Sequence, residues 1–333
     1  MKVGLYLTGA ADSSHADLIS QAVQADEMGF HSLWLRERHF HPDHEGRNFF
    51  ASPFLAAAYI ASRTSRLRLG IGARILPLDH PLHVAEAGAT LDVLTNGRTD
   101  FGIARIGEND LYQRAYGVSP EETRERFEEA LEILVKAWTE ERFSYDGRHY
   151  RIPEVSVYPK PATRPRPAIY LVGITPGTLA FGAARGFPLL IAGAQSVEVV
   201  KETQETYAGL LAEAGFDPAE VVSPVNRFVY VAETYEQAER DTRETVMGFI
   251  NRPGSVIRDF LKLPESEITY DLLAREVCIF GDAETCLERI LDLRERIDVR
   301  HLIVTFNYFT IDHARCRASM SRFSEHVLPA LAA

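Results

Sequence analysis

Short apolar runs and longer amphipathic stretches alternate along the chain. Val3–Leu7, Ser32–Leu35, Leu67–Ala73, Thr99–Arg105, Ala168–Val172, Leu189–Ile191, Asn226–Val231 and His301–Phe306 are brief, apolar and bounded by turn residues, as buried strands are. Between them apolar positions recur at helical spacing. Asp17–Met28 stops at Gly29, Pro53–Ser62 starts behind a Ser52-Pro53 cap, and Pro81–Leu94 ends at Asn96-Gly97. Ser119-Pro120-Glu121-Glu122 has capping-box spacing ahead of a helix whose Phe127, Leu131, Leu134, Val135 and Trp138 share one face. Thr175–Arg185, Ser196–Ala214, Tyr235–Ile250, Ala283–Arg294 and His313–Leu328 continue the helical series. Tyr145-Asp146-Gly147-Arg148 reads as a turn between two short strands, and Pro159 to Pro167 as an extended surface excursion. Asn251–Val277 is irregular and contains Pro253-Gly254 and Pro264, which marks an insertion.

Repeated strand–helix units demand a parallel sheet with helices outside, and eight of them favour a closed (β/α)8 TIM barrel of the α/β class. One such barrel domain over residues 1–333, with the insertion at 251–277, uses the whole length. The rival open sheet needs a glycine fingerprint for dinucleotides near its first strand. Gly70-Ile71-Gly72 begins one, but Ile75 stands where the third glycine belongs.

Acids exceed bases by 47 to 36, a net charge of −11 that argues against nucleic acid as a partner. The apolar runs fall far short of the roughly 18 residues of a membrane span. Cys278, Cys286 and Cys316 are odd in number and form no CxxC, so they read as reduced thiols of a cytoplasmic protein.

In a barrel the chemistry sits where the strands end. After the fifth strand come Gly173, Thr175, Pro176 and Thr178, at the start of a helix. Free N–H groups at a helix start, with hydroxyls beside them, suit a phosphate, although a plain threonine cap needs no ligand. Arg105, ending the fourth strand, would add a charge-assisted contact; its alternative is a structural ion pair. His39, flanked by Glu37 and Arg38 after the second strand, is the candidate acid–base group. His41, Asp43, His44 and Glu45 follow, but their spacing fits no zinc pattern well, and no metal is expected.

Taken in order, these stretches resemble the bacterial luciferase-like, flavin-dependent oxidoreductase superfamily. The likeness rests on Trp34-Leu35-Arg36-Glu37-Arg38-His39-Phe40, Ile75-Leu76-Pro77-Leu78-Asp79-His80-Pro81, Ala85-Glu86, Leu91-Asp92, Asn96-Gly97-Arg98 and Phe101-Gly102-Ile103-Ala104-Arg105. It continues through Arg126-Phe127-Glu128-Glu129-Ala130-Leu131, Thr175-Pro176-Gly177-Thr178 and Phe280-Gly281-Asp282. The resemblance implies an eight-stranded barrel with FMN at its C-terminal mouth. It implies phosphate contacts from Arg105, Thr175 and Thr178, and a cis peptide at Gly72–Ala73 beneath the flavin ring, where small residues allow close approach. His39 matches the second of two adjacent luciferase histidines. The first, tied to luciferase catalysis, is Arg38 here, and the reactive cysteine is Ala104, so light emission from a long-chain aldehyde is not expected. Arg38 instead offers a fork for an anionic or carbonyl-bearing substrate.

The expected activity is a flavin-dependent monooxygenase that takes reduced FMN and oxygen to a small organic substrate. The chain carries no nicotinamide fingerprint, so a separate flavin reductase is the expected partner, and the family's habit of pairing implies a homodimer. Tyr6, Phe40, Phe49, Phe50 and Tyr112 would make an aromatic mouth for an apolar or aromatic molecule. The insertion and the loops at 48–50 and 107–116 are candidate lids. Three other readings stand beside this one: a deazaflavin-dependent hydride-transfer enzyme of the same fold, a non-catalytic flavin-binding protein, and a metal hydrolase using the 39–45 loop.

Overall fold

The computed structural model describes residues 1–8, 13–40, 50–106, 110–251, 261, 267–307 and 311–332. Strands β1 (Lys2–Leu7), β2 (Ser32–Leu35), β3 (Arg68–Ile75) and β4 (Thr99–Ala104) pair in sequence, each parallel to the last. β5 (Phe143–Asp146) and β6 (Arg151–Val155) form the expected antiparallel hairpin apart from the sheet. β4 then pairs with β7 (Ala168–Val172), and β7 with β8 (Leu189–Leu190). From the other side of β1 the order runs through β11 (His301–Thr305) to β9 (Val225–Val231) and β10 (Cys278–Gly281). Directly after β8, Ile191 pairs in parallel with Val225. Its N–H donates to Pro224 at 3.0 Å, and its carbonyl accepts from Asn226 at 3.0 Å. That bridge joins the two sides, so the eight strands anticipated from the apolar runs form a ring and β10 pairs outside it.

The helices between and after the strands are α1 (His15–Glu27), α2 (Pro53–Ala61), α3 (Pro81–Leu94), α4 (Asp110–Tyr116), α5 (Thr123–Thr139), α6 (Pro176–Ala183), α7 (Val197–Glu213), α8 (Tyr235–Ile250), α9 (Tyr270–Glu276), α10 (Ala283–Arg296), α11 (His313–Arg322) and α12 (Leu328–Ala332). Several of their starts are set by side chains that satisfy free N–H groups. Ser14 and Asp17 form a capping box on α1, and Ser196 and Asp282 cap α7 and α10.

Three expectations are corrected. Ser119 forms no capping box: its hydroxyl turns to Glu121, Pro120–Glu122 closes a tight 3-10 turn, and α5 begins only at Thr123. Ser52 precedes Pro53 but makes no side-chain cap bond. The stretch taken as irregular insertion ends in a regular helix, α9, capped by Thr269, and the Phe280-Gly281 motif after it lies on β10. The four-residue His41, Asp43, His44 and Glu45 group, Phe49, and much of the proposed lid segments lie outside the described residues.

Between sheet and helices runs a continuous apolar layer that includes the predicted α5 face, with Phe127, Leu131, Leu134 and Trp138 all buried. A second cluster packs β9 and β10 against α8, α9 and α11. Inside the ring, Trp34 meets Leu190 and Ile303, with Tyr6, Tyr170 and Val172 around them. Trp34 explains Gly70: a Cβ there would lie 2.4 Å from the indole. The glycine pair that mimics a dinucleotide fingerprint is therefore in part a packing device for the barrel interior. Below Trp34, Arg68 forks onto the buried Asp100 at 2.8 and 2.9 Å. Ser32 there links the Trp34 indole and His301, each at 3.1 Å.

Candidate active site

Because the eight strands are parallel, their C-terminal ends share one rim, and a cavity of about 310 Å³ opens there. Its wall includes Glu37, Gly72, Ala73 and Arg105 from the predicted set. Gly173, Thr175 and Thr178 lie beside it, at the start of α6. Arg38 and His39 are half-buried and stand outside the cavity wall.

The register of β3 on β4 slips between Ile71 and Arg74, so Gly72 and Ala73 form a bulge facing the cavity. The Gly72–Ala73 peptide is cis, as the family resemblance implied. The Tyr6 hydroxyl donates to the Gly72 carbonyl and fixes the bulge from β1. Ile75, Val172, Leu190 and Phe228 supply an apolar wall, and Thr8, Asn226 and Thr305 a polar rim. Asn226 Oδ1 accepts from the Thr305 hydroxyl at 2.9 Å.

Arg105 lines this cavity and also a narrow cleft shared with Arg124, Gly177 and Thr178. Thr175 caps α6, its Oγ1 accepting from Thr178 N–H at 3.3 Å, and the two hydroxyls lie 2.9 Å apart. A Cβ on Gly177 would sit 2.3 Å from Nη2 of Arg124, so that guanidinium lies against the first turn of α6. Gly173 takes a φ of +127°, which turns the chain from β7 into that helix. Glu128 also lines the cleft and pairs with Arg124 at 3.5 Å, leaving Arg105, the helix start and two hydroxyls, with Arg124 beside them, as a phosphate donor set. An apolar cavity joined to it through Arg105 suits a flat ring system. The residues present fit FMN.

Glu37 is the hub of the opposite side. Its Oε1 lies 2.6 Å from His39 Nε2 and also receives Nη1 of Arg74. Its Oε2 accepts from the N–H of Ile75 at 3.0 Å. Arg74 donates its other terminal nitrogen to Asp79 at 2.8 Å. On the far side of the imidazole, His39 Nδ1 lies 3.0 Å from the Tyr116 hydroxyl, and its backbone N–H donates to Tyr112 at 2.8 Å. Burial, reinforced by the Glu37 charge, holds Tyr116 above the usual tyrosine range, so it stays a protonated donor. A carboxylate only accepts, so Nε2 carries the hydrogen and Nδ1 faces Tyr116.

The anticipated aromatic mouth is only partly assembled. Tyr6 lines the cavity, Tyr112 is buried against His39, Phe40 is 52% exposed between Tyr112 and Tyr116, and Phe50 packs on the outer core. Sequence reasoning passed over Arg74, Arg124, Tyr116 and Asn226. Arg74 carried a signal, since it directly follows the Gly72–Ala73 bulge. Arg124 carried none, because only folding brings α5 onto α6. All three cysteines are free and buried. Among the described residues no group of three or more His, Cys, Asp or Glu is placed to hold a metal ion, and no helix is long and apolar enough to cross a membrane.

A family profile described as luciferase-like monooxygenase matches residues 1–300. Among curated relatives, an F420-dependent glucose-6-phosphate dehydrogenase of Kineococcus radiotolerans is 32% identical over 207 residues, covering 61% of this chain and 60% of that protein. The crystal structure of the monooxygenase RslO1 from Streptomyces bottropensis superposes with a TM-score of 0.83 at 27% identity, over 99% of this chain and 100% of that one. The oxygenating constituent of 3,6-diketocamphane monooxygenase from Pseudomonas putida, solved in complex with FMN, gives 0.83 at 22% identity, over 99% and 98%.

Proposed function

The chain belongs to the luciferase-like monooxygenase family, and from that premise we propose that it is the oxygenase component of a two-component, FMN-dependent monooxygenase. One observation carries the reading: Arg105 lines both an apolar cavity at the strand ends and a cationic cleft at the start of α6. When bound, reduced FMN supplies two electrons to dioxygen, so that one oxygen atom enters a small apolar or aromatic substrate and the other leaves as water.

Arg105, Arg124 and the Thr175–Thr178 turn bind the phosphate end. The Gly72–Ala73 bulge, held by Tyr6, lets a ring lie close to the β3 backbone. Ile75, Val172, Leu190 and Phe228 keep water away from the reacting face. Glu37 orients His39, and Tyr116 on Nδ1 links the imidazole to solvent, a route by which His39 takes up and returns a proton. The test is aerobic incubation with FMN, NADH and a separate flavin reductase over a panel of apolar and aromatic compounds, followed by mass spectrometry. An added oxygen supports the reading. Rapid reduction of bound FMN by NADH with this protein alone would remove the need for a reductase.

A deazaflavin-dependent hydride transfer is the second reading, favoured by the 32% identity to the F420-dependent dehydrogenase. Anaerobic turnover with reduced deazaflavin, and none with FMN and oxygen, would decide for it. Leu55 and Tyr59 on α2 and Val93 and Leu94 on α3 are exposed, and they give a homodimer an apolar face to bury. Leu94→Glu should then halve the mass seen by light scattering.

A further inference from the structure

On the outer side of β9, away from the mouth, Arg227 is 1% exposed. Its Nη1 donates to the Asn226 carbonyl at 2.9 Å, while Nη2 has no hydrogen-bond partner among the described residues. An unmet guanidinium in the interior is costly and calls for an account. Burial pulls Arg227 down to about 10, and the Glu276 charge offsets this only in part.

Arg227 lines a cavity of about 90 Å³ together with Arg275 of α9 and Arg289 and Arg296 of α10. Two carboxylates share the lining, and both are engaged. Glu276 pairs with Arg275 at 3.0 Å and Arg296 at 3.2 Å, and Asp292 with Arg296 at 3.5 Å. Arg289 donates to the Ala274 carbonyl at 2.6 Å. Four cations against two anions leave two positive charges in excess around one small space, in a chain of net charge −11.

We propose that this cavity is an oxyanion site for a phosphate-sized group, held between Arg227 on the sheet and Arg289 on α10. Guanidinium forks match the geometry of phosphate and sulfate oxygens. The volume lies well below the roughly 300 Å³ at which pockets for organic ligands begin, so only the anionic group itself enters. Its place is separate from the mouth, and the assignment does not rest on the flavin reading. A bound anion would tie β9 to α9 and α10, and so fasten the late part of the chain to the ring.

The test is calorimetric titration of the full chain with inorganic phosphate. The Arg105→Ala, Arg124→Ala double variant serves as background, to remove the cationic cleft at α6. One phosphate per chain is expected there, and two in the unsubstituted protein. In that background Arg289→Gln should weaken binding at least tenfold and Arg227→Met should abolish it. If Arg227→Met does not fold, Arg289→Gln decides, because that half-buried side chain lies at the helix surface. No phosphate bound in the background, or affinity unchanged by Arg289→Gln, overturns the proposal. Glycerol phosphate binding more tightly than phosphate identifies an esterified group as the occupant; phosphate alone binding identifies the free ion.

Discussion

Oε1 of Glu37 lies 2.6 Å from Nε2 of His39, on a carboxylate that is itself buried and shared with Arg74. The imidazole is thus fixed by a charge that also neutralises the end of β3. Glu37→Ala leaves Arg74 with Asp79 alone. The expected loss is about 3–5 kcal/mol of stability, as for other buried pairs broken from one side, read by urea unfolding. Glu37→Gln should lose less. His39→Ala should lower turnover far more than flavin affinity; equal turnover would take His39 out of the mechanism.

Arg105→Ala should weaken FMN binding by about 1.5–3 kcal/mol, the range for a hydrogen bond to a charged group. Quenching of flavin fluorescence measures it. Unchanged affinity would mean that the phosphate lies elsewhere. Riboflavin, which lacks the phosphate, should bind the variant and the parent protein equally.

Gly70→Ala tests the barrel interior. Its Cβ would fall 2.4 Å from a fully buried indole, and forcing an extra carbon into a packed core costs about 1–3 kcal/mol. A lowered unfolding midpoint is expected, with near-ultraviolet circular dichroism reporting a displaced Trp34.

Acid should destabilise the fold before most carboxylates titrate. Burial pushes His301 down to about 3, whereas an unfolded histidine protonates near pH 6.5. Between those values the unfolded chain holds the extra proton, so stability falls as pH falls, by up to about 1.4 kcal/mol per pH unit. His31, also lowered by burial, acts in the same direction. His301→Gln should flatten the stability curve between pH 6 and 4; an unchanged slope would assign it to other groups.

Much of the ring was legible because its strands are buried on both faces and read as continuous apolar runs. The parallel order followed from the helices between them. Boundaries were less legible where local chemistry competes. Ser119 has the right spacing to cap α5, but its hydroxyl reaches Glu121 first and the helix starts later. Arg105, Thr175 and Thr178 could be marked because strand ends and helix starts have local signatures. Arg124 could not, because its meeting with Gly177 depends on how α5 crosses α6. The Glu37–Arg74 contact was hidden for the same reason, as it spans two strands.

Among the described residues the ring closes between β8 and β9 through the one bridge Ile191–Val225, whereas β3 and β4 share a ladder of five residue pairs. That thin seam runs beneath the mouth, for Ile191 and Asn226 both line the cavity. One side of the cavity wall is therefore joined by a single bridge, while the opposite side, at Gly72, Ala73 and Arg105, rests on the longer β3–β4 ladder. A ligand that reaches from the β3–β4 bulge to Asn226 therefore lies across that seam and adds contacts where the backbone supplies few.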